Sequence, residues 1–216
     1  MKNLEYIQKY FDEMIEVINK FPIQDVNKVM EILFEAWQND KRVFIMGNGG
    51  SASTASHMVC DLSKCTIVSG KIRFTVINLV ENLPWISALV NDEGWDNVYV
   101  EQLKNYKVNS GDVILGFSVH GGNGKDKAGL WSQNLLKAMD FVQQNGGKAI
   151  GIAGFDGGAM KKMCDACIVV PVDSTPHTES FHLVLEHLIS FGLHEMIKNY
   201  QRKFEEDKTE VLEEAR

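Results

Sequence analysis

The chain has 216 residues, 44% of them hydrophobic, and a formal net charge of −7. That length houses one sizeable α/β domain and would cramp two. An acidic chain without basic clusters is a poor electrostatic partner for nucleic acid, no apolar run approaches the ~18 residues of a membrane span, and the N-terminus lacks the basic-then-apolar pattern of a signal peptide; cytoplasm is the expected compartment.

Leu4, Ile7, Phe11, Met14, Ile15 and Ile18 recur at helical spacing and predict a helix over residues 4–22. Val26, Val29, Leu33 and Trp37 repeat the pattern over 26–38. Two amphipathic helices before any strand either form an oligomer interface or pack on the parent sheet, and the sequence leaves both open. Short β-branched runs follow at 42–47, 74–79, 112–118, 148–154 and 167–172. They are continuously apolar rather than alternating, as strands buried on both faces are. Helical stretches separate them at 51–63, 82–90, 96–106, 132–145, 157–164 and 178–199. Strand–helix alternation predicts a doubly wound, five-stranded parallel sheet with right-handed crossovers. Residues 1–200 read as one domain, and the charged stretch 201–216 as a solvated helix end or frayed tail.

The first strand runs directly into "GNGGS" and then into a helix. In a doubly wound sheet, ligands bind at the carboxyl ends of strands. Glycines admit a ligand close to the backbone, and a helix N-terminus offers free N–H groups and the positive end of its dipole. Ser51 and Ser53 add hydroxyls. The run lacks the third glycine of a dinucleotide fingerprint, strand two ends in Asn78 and Leu79 rather than an acid, and no Walker lysine follows. A second loop after the third strand, residues 117–134, carries Ser118, His120, Lys125, Lys127 and Ser132. Two hydroxyl-rich and glycine-rich loops with few fixed cations suit a sugar phosphate.

His57 and Asp61 lie four residues apart on the helix that the first loop starts, and so share a face. The C-terminal helix carries Glu179, His182, Glu186, His187 and His194 among leucines and phenylalanines. Charges on such helices need partners. The two His–carboxylate pairs, with Glu179 and His187 on one row of the second helix, could supply four ligands to a divalent metal. One pair could equally be an acid–base couple, or simply structural. Cys60, Cys65, Cys164 and Cys167 are expected to be reduced thiols. The "CDAC" pair opens a strand rather than a knuckle, so it reads as small buried hydrophobes.

"GNGGSASTASHMVCDLS", the small-residue loop after strand three and the helix bearing Glu179 and His187 resemble the SIS (sugar isomerase) domain, specifically the phosphoheptose isomerase family. The resemblance runs to about residue 199. It implies a homotetramer of flavodoxin-like subunits with active sites between subunits, and a divalent metal, usually zinc. It implies His57, Asp61, Glu179 and His187 as metal ligands, with Asp61 and His187 moving the proton between C1 and C2 of the sugar. It implies that Asn48, Ser51, Ser118 and Ser132 contact the phosphate; Gly49 and Ser53 of the first loop and His120 of the second are read from the loops themselves as further substrate contacts. The family pattern is departed from at Asp61 and Glu179, which stand for glutamate and glutamine, and in the loop after strand three, which carries an insertion. The implied activity is metal-dependent aldose–ketose isomerisation of a phosphorylated sugar. The rival is a non-catalytic SIS protein that binds phosphosugars as a regulator, or scaffolds a replication initiator.

Overall fold

The computed structural model describes residues 2–122 and 132–214, with 201–214 as backbone alone. Two helices, α1 (Asn3–Asn19) and α2 (Ile23–Gln38), precede strand β1 (Arg42–Gly47). The chain then alternates: α3 (Gly50–Lys64), β2 (Thr75–Asn78), α4 (Leu83–Glu93), a 3₁₀ turn at Trp95–Asn97, α5 (Val98–Tyr106) and β3 (Val113–Ser118). It continues with α6 (Gln133–Gln144), β4 (Lys148–Ala153), α7 (Met160–Met163), β5 (Ala166–Val169) and α8 (Thr175–Glu214). All pairings are parallel and the strand order is β2-β1-β3-β4-β5. This is the expected doubly wound α/β sheet. Its order reverses between β1 and β3, so the loops leaving the carboxyl ends of those two strands face each other across a crevice.

The central strands β1, β3 and β4 are buried on both faces because alternate side chains feed two cores. Val43 and Ile45 of β1 join Val29 and Leu33 of α2, Met58 of α3 and Phe181, Leu185 and Ile189 of α8 on one face. Phe44 and Met46 join Tyr99 and Leu103 of α5 and Leu135 and Met139 of α6 on the other. Helices α3 and α8 both return from carboxyl ends of parallel strands, so they run the same way and pack side by side.

The two N-terminal helices part company. Val26, Val29, Ile32, Leu33, Ala36 and Trp37 of α2 are buried on the sheet. In α1 only Val17 is buried, while Leu4, Ile7, Phe11, Ile15 and Ile18 stand exposed, Phe11 by 58%. The element expected at 157–164 shrinks to α7 because Gly157 and Gly158 adopt positive φ of 79° and 51°. The last strand stops at Val169, two residues short of Pro171, whose missing N–H cannot extend a ladder. The stretch after residue 200 continues α8 as helical backbone to Glu214. Among the described residues no helix is long and apolar enough to cross a membrane. The four cysteines are free thiols. Burial pushes the Cys164 and Cys167 thiols well up, so they stay protonated as small apolar groups do.

Candidate active site

The crevice between β1 and β3 holds a small polar cavity of about 150 Å³. β1 ends at Gly47, and a side chain there would run into the Ser51 carbonyl. Gly49 then turns the chain with φ +57°, a conformation that favours glycine, and α3 begins at once. Asn48 lines the cavity from this turn, with Ser51 from the first turn of α3. Ser118, at the end of β3, and His120 come from the opposite loop, and Ser132 from the N-cap of α6. Gly49 and Ser53 lie outside the cavity lining, and Ser53 is exposed on α3. Lys125 and Lys127 fall outside the described residues.

An amide pair sets the cavity's shape. Asn48 Nδ2 donates to Asn134 Oδ1 at 3.0 Å, and Asn134 Nδ2 returns a bond to Asn48 Oδ1 at 2.9 Å. Asn134 is fully buried. The Tyr99 hydroxyl donates to the Gly47 carbonyl at 2.6 Å, and burial holds its own proton on well above the usual phenol range. These bonds clamp the first loop to the start of α6 and so bring Ser132 opposite Ser51. Neither Asn134 nor Tyr99 was singled out by sequence reasoning. Their partners lie 86 and 52 residues away, and no local pattern announces them.

A second cluster lies farther along α3, where it packs on α8. His57, Asp61, Glu186 and His187 each place one ligand atom within 4.8 Å of the others. His57 Nε2 is 3.9 Å from Asp61 Oδ1, His187 Nε2 is 3.9 Å from Asp61 Oδ2, and the two imidazole rings stand nearly perpendicular at 4.9 Å. Asp61 and Glu186 are buried, whereas the His57 and His187 side chains are nearly half exposed. Burial, then the facing Asp61 carboxylate, pushes the Glu186 carboxyl up to about 7. Its Oε2 accepts no hydrogen bond among the described residues. A buried carboxyl group facing two imidazoles and a second carboxylate is a donor set that a divalent cation would satisfy, so the residues present fit a metal.

Glu179 stands elsewhere on α8. Two helical turns before His187, it lies outside this cluster and lines the polar cavity instead, its carboxylate over Gly50. Eight residues of α-helix rise about 12 Å, which separates it from His187 along α8. Beside His57, Asp61 and His187 stands Glu186, a lone acid inside "HLVLEHLIS". That setting was its signal: an acid in an otherwise apolar run of a packed helix.

A hydroxyl-lined cavity thus lies at the switch point of the α/β sheet, and a His–carboxylate cluster lies two turns farther along α3. Residues 6–126 match the SIS domain family, and the chain belongs to that family. It is 32% identical over 188 residues to phosphoheptose isomerase of a Nitratiruptor species, covering 87% of this chain and 92% of that protein. It is 37% identical over 163 residues to lincomycin biosynthesis protein LmbN of Streptomyces lincolnensis, spanning 74% of this chain but only 58% of that protein. In three dimensions it resembles phosphoheptose isomerase GmhA from Neisseria gonorrhoeae, with a TM-score of 0.76 at 23% identity, over 88% of this chain and 97% of that one.

Proposed function

We propose that this chain is a metal-dependent aldose–ketose isomerase of a phosphorylated sugar, with sedoheptulose 7-phosphate to heptose 7-phosphate, for surface polysaccharide, as its reaction. The observation that carries the reading is the convergence of His57, Asp61, Glu186 and His187 beside a phosphate-sized cavity on the same helix. From Ser51 to His57 the helix rises about 9 Å. A sugar chain of six or seven carbons, with carbon–carbon bonds of about 1.5 Å, spans a distance of that order between its phosphate and C2. A triose phosphate is too short to touch both ends. The phosphoheptose isomerase relatives support the same substrate class.

In this reading the phosphate rests on the hydroxyls of Ser51, Ser118 and Ser132, His120 and the N-terminus of α3. The sugar then extends along α3, with C1 and C2 at the cluster. A divalent metal, zinc for preference, would be held by His57, Asp61, His187 and a carboxylate of α8. Such an ion would act as a Lewis acid toward the substrate oxygens and so make the C–H bond next to the carbonyl more acidic. Asp61 takes the proton from C1 of the ketose. The electron pair of that C–H bond forms the C1–C2 double bond, and the C2 oxygen takes up a proton from His187, giving an enediol. Asp61 returns its proton to C2, and the C1 hydroxyl gives its own back to His187. Atoms and charge balance, and neither residue is consumed. The exposed apolar face of α1 would be covered by further copies in a homotetramer, with sites completed between subunits in the cytoplasm. The regulator or scaffold reading leaves the buried Glu186 carboxylate without a purpose.

The test is interconversion of ketose and aldose phosphates by zinc-loaded protein, followed by a coupled assay. His187→Ala should abolish turnover and leave assembly intact. A zinc-loaded wild type without activity on phosphates of six- and seven-carbon sugars would overturn the reading.

A further inference from the structure

We propose that Cys164, Cys167 and Met139 form a binding site for a thiophilic monovalent cation of the copper(I) class. The site lies where α6 and α7 cover the sheet. It does not depend on the isomerase reading, and none of its residues lines the polar cavity or joins the His–carboxylate cluster.

The sheet makes the space. Gly116 of β3 and Gly151 of β4 are register partners, and Gly151 pairs in turn with Cys167 of β5. Two neighbouring strands therefore lack a side chain at the same level, where buried parallel strands usually carry branched aliphatic residues. Sulfur-bearing side chains fill the gap. A Cβ added at Gly116 would meet the terminal methyls of Met139, Met46 and Met160, the first at 2.6 Å. A Cβ added at Gly151 would meet the Cys167 Sγ at 3.0 Å, the Met160 Cβ at 3.1 Å and the Cys164 Sγ at 3.4 Å.

Both thiols thus converge on one point over β4. Cys164 caps α7 and Cys167 lies in the strand that follows, so the CxxC spacing folds the pair back onto one glycine. The third sulfur comes from a distant segment: the Cys164 thiol donates to the Met139 Sδ at 3.6 Å. The neighbouring carboxylate is already engaged, because Asp165 Oδ2 accepts from the Ala149 amide at 2.8 Å and from Gln143 Nε2 at 3.0 Å. Two thiols and a thioether are a soft donor set, which selects copper(I). A structural zinc site would want a fourth ligand. Nitrogen and oxygen donors of the His–carboxylate cluster suit a divalent ion instead, so ligand softness assigns the two ions to two places. Each cysteine sulfur gives its proton to solvent as it bonds the ion, so one cation and two thiols yield a bis-thiolate complex and two protons. Cys164 and Cys167 are half-buried, whereas Met139 and Met160 are fully buried. The ion enters from the thiol side and rests on an apolar floor.

The experiment titrates copper(I) into the whole reduced chain without oxygen, in competition with the chromophoric chelator bicinchoninate. Wild type should hold one equivalent, with only sulfur neighbours in the copper X-ray absorption spectrum. Cys60→Ser with Cys65→Ser, which removes the other two thiols, should hold copper equally well. Cys164→Ser with Cys167→Ser should weaken binding at least about 100-fold. Met139→Leu keeps the volume, removes the sulfur and should weaken binding about ten-fold. Circular dichroism checks folding, and Cys164→Ala with Cys167→Ala repeats the test without a buried hydroxyl. Copper held by either variant of the Cys164–Cys167 pair, nitrogen or oxygen neighbours in the spectrum, or a wild type that yields its copper to the chelator overturns the proposal. Unchanged binding in Met139→Leu overturns the three-sulfur site.

Discussion

His182 is wholly buried in α8 against the ring of Phe117, one helical turn before Glu186. Burial lowers its pKa to about 4. In the unfolded chain the same imidazole titrates near 6.5. Between those values the unfolded state binds more protons than the folded one, so stability falls as pH falls. The linkage relation with these two values gives a loss of about 2 kcal/mol between pH 7.5 and pH 5, levelling at about 3 kcal/mol below pH 4. The substitution His182→Leu removes the titrating group at nearly constant volume. Its own packing cost is the same at both pH values and cancels in the comparison. Urea unfolding of wild type and variant, with chelator present throughout, should show the wild type losing about 2 kcal/mol more than the variant over that pH step. Equal losses would show that His182 is not held neutral by burial, and the reasoning would be refuted.

Three further outcomes are expected. Ser51→Ala should weaken sugar-phosphate binding by about 1–2 kcal/mol, the worth of a hydrogen bond to a charged group; calorimetric titration checks it, and unchanged affinity counts against the cavity as the phosphate site. Asn134→Leu should strip Asn48 of its amide partner, lowering stability by about 2 kcal/mol and raising KM more than it lowers kcat; a wild-type KM would deny the amide pair its positioning role. Phe11→Glu with Ile15→Glu puts charge on the apolar face of α1 and should reduce the proposed tetramer to smaller species by light scattering, whereas an intact tetramer would place the interface elsewhere.

Much of the architecture was legible because it rests on local chemistry. β-branched runs without polar alternation mark strands buried on both faces, and helix-period stretches between them force a parallel sheet. The crevice followed from the same pattern, since "GNGGS" and the loop bearing Ser118 both leave strand carboxyl ends. Element ends were less legible where a single residue decided them, as Gly157, Gly158 and Pro171 did.

By itself the sequence determined the fold class, the two loops that face each other, and the helix on which His57 and Asp61 share a face. These follow from periods of two and 3.6 residues and from backbone preferences of glycine and proline, all carried by near neighbours in the chain. The tertiary structure alone decided which of two similar amphipathic helices is covered: α2 meets the sheet, while α1 is left with its apolar face open. It alone decided which acid of α8 joins His187. Glu179 and Glu186 are both one side chain's length from plausible partners in one dimension, but the alignment of α3 beside α8 sets Glu179 over Gly50 and Glu186 among His57, Asp61 and His187. The Asn48–Asn134 pair belongs to the same class, because a contact between residues 86 apart exists only once the sheet has brought two loops together. Helix periodicity states which residues share a face, and only the packing of that face against another states what they touch.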